Sequence, residues 1–304
     1  MIDISVVIVN YNTCALICRC LDSIFELTKG VQYEVIVVDN ASQKDDSKQV
    51  LSQYPGIRYI QSETNLGFGK ANNLGFTSAA GRYVLFLNSD TYLLNDALSA
   101  FVHEMDNLPD YVACAGALLL AEDGTANQSY APMPTLLWYA KAIGGLYIKP
   151  FVPKRSAGNV KSTPQALPME VPYVIGADLC IRREVIERYG LFDPDFFMYY
   201  EESEMQNRYQ RHGYKSYLIA SPQIVHLEGA SYSRNDTKHY PARVWKWYMQ
   251  SQELFFKKTQ PYYKYLIYRI ISLLSAPLCL RSYYSMREKR MLMKTLLCPI
   301  TVIG

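Results

Sequence analysis

The sequence predicts an α/β protein whose first half is a doubly wound, mostly parallel sheet with helices on both faces. Two observations lead to this prediction. Apolar runs rich in valine and isoleucine recur, as in SVVIVN (5–10) and YEVIVVD (33–39), and such continuous runs are typical of parallel strands buried on both faces. Helical patterns fall between these runs, and repeated strand–helix units of this kind build a parallel sheet.

The predicted elements alternate along the chain. Further strands are expected at 57–61, 83–88, 112–120 and 215–220, and a strand–turn–strand at 171–184. Helices are expected after Asn12 or Thr13, near 44–53, at 69–81 with Gly81 as its end, from Asn95 or Asp96 to about 107, at 184–189, and at 202–212.

The composition is that of a globular protein, with 304 residues, 49% apolar and 19% charged. The net charge of +3 is unevenly distributed, because residues 233–304 hold thirteen Lys and Arg against three acids. A basic tail on an acidic body suggests a polyanionic partner. The basic residues follow an apolar segment and no groove-reading motif, which argues against a nucleic acid.

The seven cysteines form no CxxC pair, and their odd number predicts reduced thiols in the cytoplasm. The N-terminus opens with a strand pattern and no basic region, so we expect no signal peptide. Residues 121–170 are rich in Pro, Gly and Ser and are interpreted as a long excursion or lid.

Three polar clusters follow the predicted strands: Asn10-Tyr11-Asn12, Asp39-Asn40 and Asn88-Ser89-Asp90. Each alone is typical of a turn. In doubly wound sheets, however, ligands bind beyond the carboxyl ends of the strands. The three clusters are therefore expected to converge on one site.

Seven segments together resemble the family 2 glycosyltransferases, especially the rhamnosyltransferase-like branch. In chain order they are VVIVNYN (6–12), VVDNAS (37–42), NLGFGKANNLG (65–75), LFLNSD (85–90), IGADLCIRRE (175–184), GLFDPDFFMYYEESE (190–204) and VHLEGAS (225–231). The resemblance covers about residues 3–260. It implies a GT-A-type fold, in which a mixed, mostly parallel nucleotide-binding sheet is flanked by helices, here with a helical, basic C-terminal extension.

The implied domains are a catalytic domain at 1–232 and a membrane-associating or oligomerising segment at 233–304. The catalytic domain divides into a nucleotide-binding half (1–120) and an acceptor and catalytic half (121–232).

By the same resemblance, the nucleotide-sugar donor is bound at the first four strands. Asp39 accepts hydrogen bonds from the base or ribose, and Tyr11 forms a wall for the base. The full set implied for the donor is Asn10, Tyr11, Asn12, Asp39, Asn65, Lys70, Asn88 and Ser89. On the residues alone, Asn65-Leu66-Gly67 is also typical of a simple turn before a helix.

LFLNSD matches the family's metal motif, usually Asp-x-Asp, with Asn88 in place of the first acid. Asp90 is then the ligand of Mg²⁺ or Mn²⁺, hard ions that prefer oxygen and borrow further oxygens from phosphates. His226 matches a second ligand from the far side of the site, and an imidazole would favour Mn²⁺. A histidine after a strand is equally compatible with simple packing.

MYYEESE matches the catalytic motif, in which the family's base is an Asp. Glu202 occupies that position and is one methylene longer, with Glu201 and Glu204 beside it. Inverting transfer needs such a base to deprotonate the acceptor hydroxyl. Without the resemblance, three acids at a helix start are explained by the helix dipole. The resemblance places Gly176, Ala177, Asp178 and Glu201 on the acceptor side.

The tail from Pro261 is apolar with interspersed Lys and Arg, but its uncharged run Ile270–Leu280 is too short to span a bilayer. Such a basic, aromatic-rich segment fits peripheral binding at a membrane interface. A helical hairpin packed on the catalytic domain and a dimer interface are the alternatives.

We therefore expect an inverting, metal-dependent glycosyltransferase on the cytoplasmic face of the membrane, active in surface-polysaccharide synthesis. The first candidate donor is dTDP-rhamnose, followed by UDP-hexoses and UDP-N-acetylhexosamines. The acceptor is a glycan or polyprenyl-linked glycan. The alternative is an inactive scaffold of a polysaccharide-assembly complex, which Glu202 and Asn88 in place of Asp would favour.

Overall fold

The computed structural model describes residues 1–141, 166–227, 241–280 and 284–300. The strands are β1 (Ile4–Asn10), β2 (Tyr33–Asp39), β3 (Ile57–Gln61), β4 (Tyr83–Asn88), β5 (Thr91–Leu93), β6 (Val112–Ala117), β7 (Tyr130–Ala131), β8 (Met169–Val171), β9 (Tyr173–Val174), β10 (Asp178–Arg182), β11 (Lys215–Ile219) and β12 (Ile224–His226). The helices are α1 (Cys14–Leu27), α2 (Ser47–Ser52), α3 (Phe68–Phe76), α4 (Ala97–Asn107), α5 (Arg183–Tyr189), α6 (Glu201–Arg211), α7 (Ala242–Thr259), α8 (Tyr262–Leu273), α9 (Ala276–Cys279) and α10 (Met286–Leu297).

The central sheet has the strand order β3-β2-β1-β4-β10-β6-β11-β8. Strands β3, β2, β1 and β4 are parallel, as are β6 and β11, whereas β10 is antiparallel to both of its neighbours. The predicted mixed, mostly parallel sheet is confirmed. Beside it, β12 pairs with β5 and β7 pairs with β9, both antiparallel.

The alternating side chains of β1 reach two different cores, one on each face of the sheet. Val6 and Ile8 pack with the apolar side of α1, while Val7 lies in the core beneath α5 and α6. Both faces of the strand are therefore dry, which explains why its sequence is an unbroken apolar run.

The helix predicted to end at Gly81 ends at Phe76 instead. The amides of Ser78 and Ala79 bond to the carbonyls three residues back, which tightens and closes the last turn. Gly81 lies against the start of β1, where its amide donates to the hydroxyl of Ser5 at 2.7 Å. It is a point of close backbone approach, and not a helix cap.

The helices α7 to α10 confirm the prediction of a helical, basic C-terminal extension. Phe255 and Phe256 of α7 pack against Tyr265 and Tyr268 of α8, with the Phe256 and Tyr268 rings stacked at 4.4 Å. Among the described residues, no helix is both long and apolar enough to cross a membrane.

Some predictions fall outside the described residues. They concern residues 142–165 of the 121–170 excursion, the 232/233 boundary and the end of VHLEGAS. The proposed domain division therefore stays a prediction. The described part of the excursion contributes β7 and a helical stretch that begins at residue 136. Six of the seven cysteines are free thiols in the described part of the chain.

Candidate active site

The carboxyl ends of β1, β2 and β4 lie side by side. Asn10 is in register with Asp39 of β2, and its neighbour Val9 with Asn88 of β4. The hydroxyl of Thr13 links two of these ends, because it donates to Asn10 Oδ1 at 2.8 Å and lies 3.0 Å from Ser89 Oγ. The three polar clusters thus meet at one sheet edge.

The predicted capping of α1 by the side chain of Asn12 or Thr13 is wrong. Neither side chain caps α1. Asn12 adopts a left-handed backbone, with φ of 57°, and its side-chain oxygen accepts the amides of Gln43 and Lys44, both at 2.8 Å. Asparagine tolerates this conformation better than most residues. Asn12 therefore ties the turn after β1 to the turn after β2.

Asp39 is the buried carboxylate at the end of β2. It is fully buried, and one of its oxygens accepts the Ser42 amide at 2.8 Å. Burial and the neighbouring Asp39 together raise the pKa of Tyr59 to about 12. Tyr11, in contrast, is 43% exposed at the rim, where a flat aromatic ring is available to stack on a base.

The turn before α3 and the first residues of that helix, together called the loop 65–70, connect the strand ends to residues 197–201. The side chain of Asn40 binds it from one side, donating to Asn65 Oδ1 and the Gly67 carbonyl, both at 3.1 Å. On the other side, the Phe68 amide donates to the Phe197 carbonyl at 2.9 Å. Lys70 follows on the first turn of α3 and is exposed.

Gly67 is required at the tightest point of this loop. Its φ is 81°, a region that disfavours side chains, and a Cβ added there would overlap the Phe197 carbonyl.

Asp90 and His226 meet although 135 residues separate them in the chain. The pairing of β12 with β5 sets His226 opposite Thr91, and His226 Nε2 lies 3.4 Å from Asp90 Oδ1. Both side chains are largely buried.

One cation in contact with both atoms is compatible with this separation. Among the described residues, no cluster of three or more His, Cys, Asp or Glu side chains is placed to hold a metal. Two protein ligands are enough for a hard cation, because such an ion completes its coordination shell with water and phosphate oxygens.

The three glutamates at the start of α6 differ in their surroundings. Glu204 pairs with Arg208 at 3.2 Å, and that guanidinium also donates to the Leu191 carbonyl at 2.6 Å. Glu204 is thus engaged in holding the preceding loop. Glu202, between Glu201 and Glu204 in sequence, is partly exposed.

Glu201 is 4% exposed and packs beside Gly69, where an added Cβ would lie 3.6 Å from its own Cβ. Burial, together with the charge of Glu202, raises the pKa of Glu201 well above its usual value. Within the described residues, its Oε2 has no hydrogen-bond partner.

The turn at 176–178, which is predicted to lie on the acceptor side, packs behind the same edge. The Ala177 carbonyl accepts the Asn88 amide at 2.9 Å, and Gly176 lies against the ring of Phe68. Asp178 is fully buried, accepts the Ala117 amide at 2.6 Å, and has its pKa raised well above the usual value by burial. Its carboxyl is enclosed, and its place on the acceptor side stays a prediction.

The sequence did not reveal how α6 is started. Tyr199 and Tyr200 both have left-handed backbones, with φ of 71° and 68°, and such residues are rare and costly outside glycine. Helix α7 holds this turn: Ser251 donates to the Met198 carbonyl at 2.7 Å, and Gln252 donates to the Tyr200 hydroxyl at 2.6 Å. No local pattern signals this contact, because the partners lie about 50 residues apart.

Comparison with known proteins identifies the fold and family. Residues 5–190 match the model of "Glycosyl transferase family 2". The chain belongs to this family. The expected family assignment is thereby confirmed.

Two curated relatives of this glycosyltransferase are informative. It is 26% identical over 223 residues to the N-acetylglucosaminyl-diphospho-decaprenol L-rhamnosyltransferase of Mycobacterium tuberculosis, covering 68% of this chain and 71% of that protein. It is 30% identical over 215 residues to the low-salt glycan biosynthesis hexosyltransferase Agl10 of Haloferax volcanii, covering 69% of this chain and 62% of that protein.

Solved structures share the architecture. GalNAc-T7 with UDP, GalNAc and Mn²⁺ superposes with a TM-score of 0.62 at 18% identity, covering 97% of this chain and 55% of that one. The mannosyltransferase PcManGT of Pyrobaculum calidifontis, with GDP-Man and Mn²⁺, has a TM-score of 0.55 at 16% identity, covering 97% and 81%. At this identity the likeness concerns the fold, and it confirms the GT-A type.

Proposed function

We propose that this family 2 glycosyltransferase transfers a sugar from a nucleotide-diphospho-sugar to a hydroxyl of a glycan, with inversion at the anomeric carbon. The carrying observation is that the loop 65–70 joins two groups of residues. It contacts Asn40 beside the donor cluster and Phe197 and Glu201 beside the catalytic cluster. A donor held on the strand ends would therefore have the carboxylates of α6 close by.

Each cluster has a role in this reaction. Asn10, Asp39, Asn65 and Lys70, with Tyr11 at the rim, bind the nucleotide and its phosphates. Glu202 accepts the proton of the acceptor hydroxyl as that oxygen attacks the sugar. Burial and the charge of Glu202 raise the pKa of Glu201, which favours the protonated form of Glu201 beside the proposed base.

Asp90 and His226 would hold a divalent cation, Mn²⁺ or Mg²⁺. When bound, such an ion stabilises the negative charge that develops on the departing diphosphate. The mixed oxygen and nitrogen donor set favours Mn²⁺ over Mg²⁺, because Mg²⁺ prefers oxygen ligands.

The donor that we propose first is dTDP-rhamnose, with UDP-hexoses and UDP-N-acetylhexosamines next. The rhamnosyltransferase from M. tuberculosis supports the first choice. That relative's name also includes a diphospho-decaprenol carrier, which supports a polyprenyl-linked glycan as acceptor and a role in surface-polysaccharide synthesis. Such an acceptor would place the enzyme on the cytoplasmic face of the membrane as a peripheral protein.

The test is donor binding and hydrolysis across a panel of sugar nucleotides, with and without Mn²⁺ or Mg²⁺, for the wild type and Asp90→Ala. One donor bound in a metal- and Asp90-dependent manner is expected, and proton NMR of the product should report the inverted anomer. Binding of no donor would leave the inactive scaffold as the better interpretation. Binding that is indifferent to Asp90 would remove the metal from the proposal.

A further inference from the structure

Helix α8 has one face packed and one face exposed. Tyr265 and Tyr268 are buried against α7, and Ser272 on the same side of the helix is buried too. The outward residues recur every three or four positions and thus share one side of the helix: Tyr262 (73% exposed), Tyr263 (61%), Leu266 (43%), Ile267 (43%), Ile270 (65%), Leu273 (43%) and, just beyond the helix, Leu274 (59%). We call these seven residues the α8 apolar face.

A run of exposed apolar side chains on one helix usually marks a surface that binds something. Scattered single residues would need no explanation, but here they form a continuous stripe about two to three turns long. The described parts of the chain leave this stripe uncovered. Its covering partner must therefore be apolar over at least the length of α8.

The charges around this face point to the nature of the partner. The described residues of 241–300 contain ten Lys and Arg but only two acids, Glu253 and Glu288. Glu253 is 3% exposed and pairs with Arg269 at 3.2 Å. Glu288 is engaged in the capping box that starts α10. The exposed charge of the described residues of 241–300 is therefore strongly positive.

Helix α10 concentrates part of that charge. Arg287, Arg290 and Lys294 are spaced by three and four residues and lie on the side away from the core, whereas Leu292 and Leu296 on the other side are buried against α7. A helix with basic residues outward and apolar residues inward cannot itself cover the α8 apolar face. Its last residue meets α8, where Arg269 donates to the Leu297 carbonyl at 3.3 Å.

We infer that the α8 apolar face and the basic residues of α10 form a docking surface for an anionic lipid bilayer. The leucine, isoleucine and tyrosine side chains would enter the headgroup and acyl boundary, and the Lys and Arg side chains would contact lipid phosphates. Tyrosine is typical of this depth because it is apolar along its ring and polar at its tip.

A second copy of the chain fits this surface less well. It would bring the same excess of positive charge to the interface, and like charges placed together oppose association. An anionic bilayer supplies both the apolar depth and the opposite charge. This inference deepens the proposed function, because a lipid-linked acceptor would lie at the same surface, but lipid binding itself requires no catalysis.

The experiment is flotation of the full chain with vesicles of phosphatidylcholine alone and with vesicles that contain phosphatidylglycerol at about three parts in ten. The wild type is expected to float with the anionic vesicles and to be released by salt. The double variant Leu266→Ser/Ile270→Ser should bind at least about tenfold more weakly, because each apolar side chain loses its transfer into the bilayer. The matched control is Val50→Ser/Leu94→Ser, which removes two exposed apolar residues outside 241–300.

The charge contribution is tested separately with Arg287→Gln/Arg290→Gln, against Lys44→Gln/Lys48→Gln as control. Loss of about fivefold in affinity per charge removed is expected for anionic vesicles only. If wild type and α8 variants bind vesicles equally, or not at all while donor binding is intact, the docking surface is refuted and the proposed function stands. If light scattering finds a dimer that the α8 variants abolish, the face belongs to a second copy and the inference is overturned.

Discussion

The hydroxyl of Tyr200 lies 2.9 Å from that of Tyr248 and accepts a hydrogen bond from Gln252 at 2.6 Å. Both partners belong to α7, whereas Tyr200 immediately precedes the glutamates of α6. Burial and the nearby Tyr248 hydroxyl keep the pKa of Tyr200 well above its usual value, so the phenol stays neutral. Helix α7 thus holds a left-handed, strained turn on which the position of Glu202 depends.

The variant Gln252→Met tests this connection. It keeps the length of the side chain but removes the donor, so the free energy of unfolding should fall by about 1–2 kcal/mol. With the turn less constrained, kcat should fall about three- to tenfold, while donor affinity should stay unchanged because the donor cluster lies on other elements. The measurements are urea unfolding, steady-state kinetics and calorimetric donor titration. Gln53→Met, at an exposed position, is the control; donor affinity that falls together with kcat would contradict the assigned role.

The acids of α6 should separate clearly when changed one at a time. Glu202→Gln removes the proposed base, and kcat should fall by about 10²–10⁴ with donor binding retained. Glu202→Asp should retain part of the activity, since it changes reach and hardly changes basicity. Glu204→Gln weakens the largely buried pairing with Arg208, so it should lower the free energy of unfolding and leave most of kcat. If Glu204→Gln proves as inactive as Glu202→Gln, the assignment of the base is wrong.

Glu201 makes stability depend on pH in a direction that can be worked out. Its folded pKa lies above the ordinary value of 4.5, so the folded state binds the proton more tightly than the unfolded state. Stability is therefore lost as pH rises from about 4.5 toward the raised pKa, by about 1.4 kcal/mol for each pH unit that separates the folded pKa from the unfolded one.

The neutral variant Glu201→Gln should accordingly melt above the wild type at about pH 8 and converge with it near about pH 4. Melting curves across this range, without metal or donor, provide the measurement. A constant difference between the two proteins at all pH values would mean that the effect is packing and not titration.

The strands of this fold were predictable because burial on both sides leaves a direct trace in the sequence. The central parts of β1 and β2 lie between two cores and contain the unbroken apolar runs VVIV (6–9) and VIVV (35–38). The end of α3 was missed because Gly81 resembles a cap, while its real constraint is contact with Ser5, 76 residues away. Local patterns do not contain such distant contacts.

The contacts of the candidate site also divide into those that the sequence predicts and those that it does not. The meeting of Asn10, Asp39 and Asn88 was expected from the predicted doubly wound sheet, because its parallel strands end at one edge. The hydrogen bond from Gln252 to Tyr200 could not be predicted, because it depends on how α7 packs. A left-handed Tyr-Tyr pair also contradicts local preference, and only the tertiary structure maintains it.

The pairing of Asp90 with His226 predicts a metal-dependent contribution to nucleotide binding. His226→Ala should weaken binding of UDP or dTDP in the presence of Mn²⁺ by about 10- to 100-fold and leave the binding in EDTA unchanged. Isothermal titration with and without the ion measures both values. His103→Ala, at an exposed site on α4, is the control. Equal weakening in EDTA would indicate that His226 supports the fold near Asp90 and binds no ion.

Two glycines with nearly the same backbone allow a sharper test of the loop that joins the clusters. Gly67 has φ of 81° and Gly124 has φ of 78°, so alanine at either position carries a similar cost of about 1–2 kcal/mol for the left-handed backbone. Around Gly124 an added Cβ meets nothing within 4 Å, whereas at Gly67 it overlaps the Phe197 carbonyl. Gly67→Ala must therefore displace either the loop or the segment that leads to Glu202.

We expect Gly67→Ala to lose at least about 1–3 kcal/mol more of unfolding free energy than Gly124→Ala. Its kcat and its donor affinity should both fall, because the loop contacts both clusters. Gly124→Ala should lose stability only. The measurements are chemical denaturation and donor titration of the two variants. Equal stability and equal donor affinity would mean that Phe197 moves aside easily. The loop would then not couple donor binding to the segment that leads to Glu202.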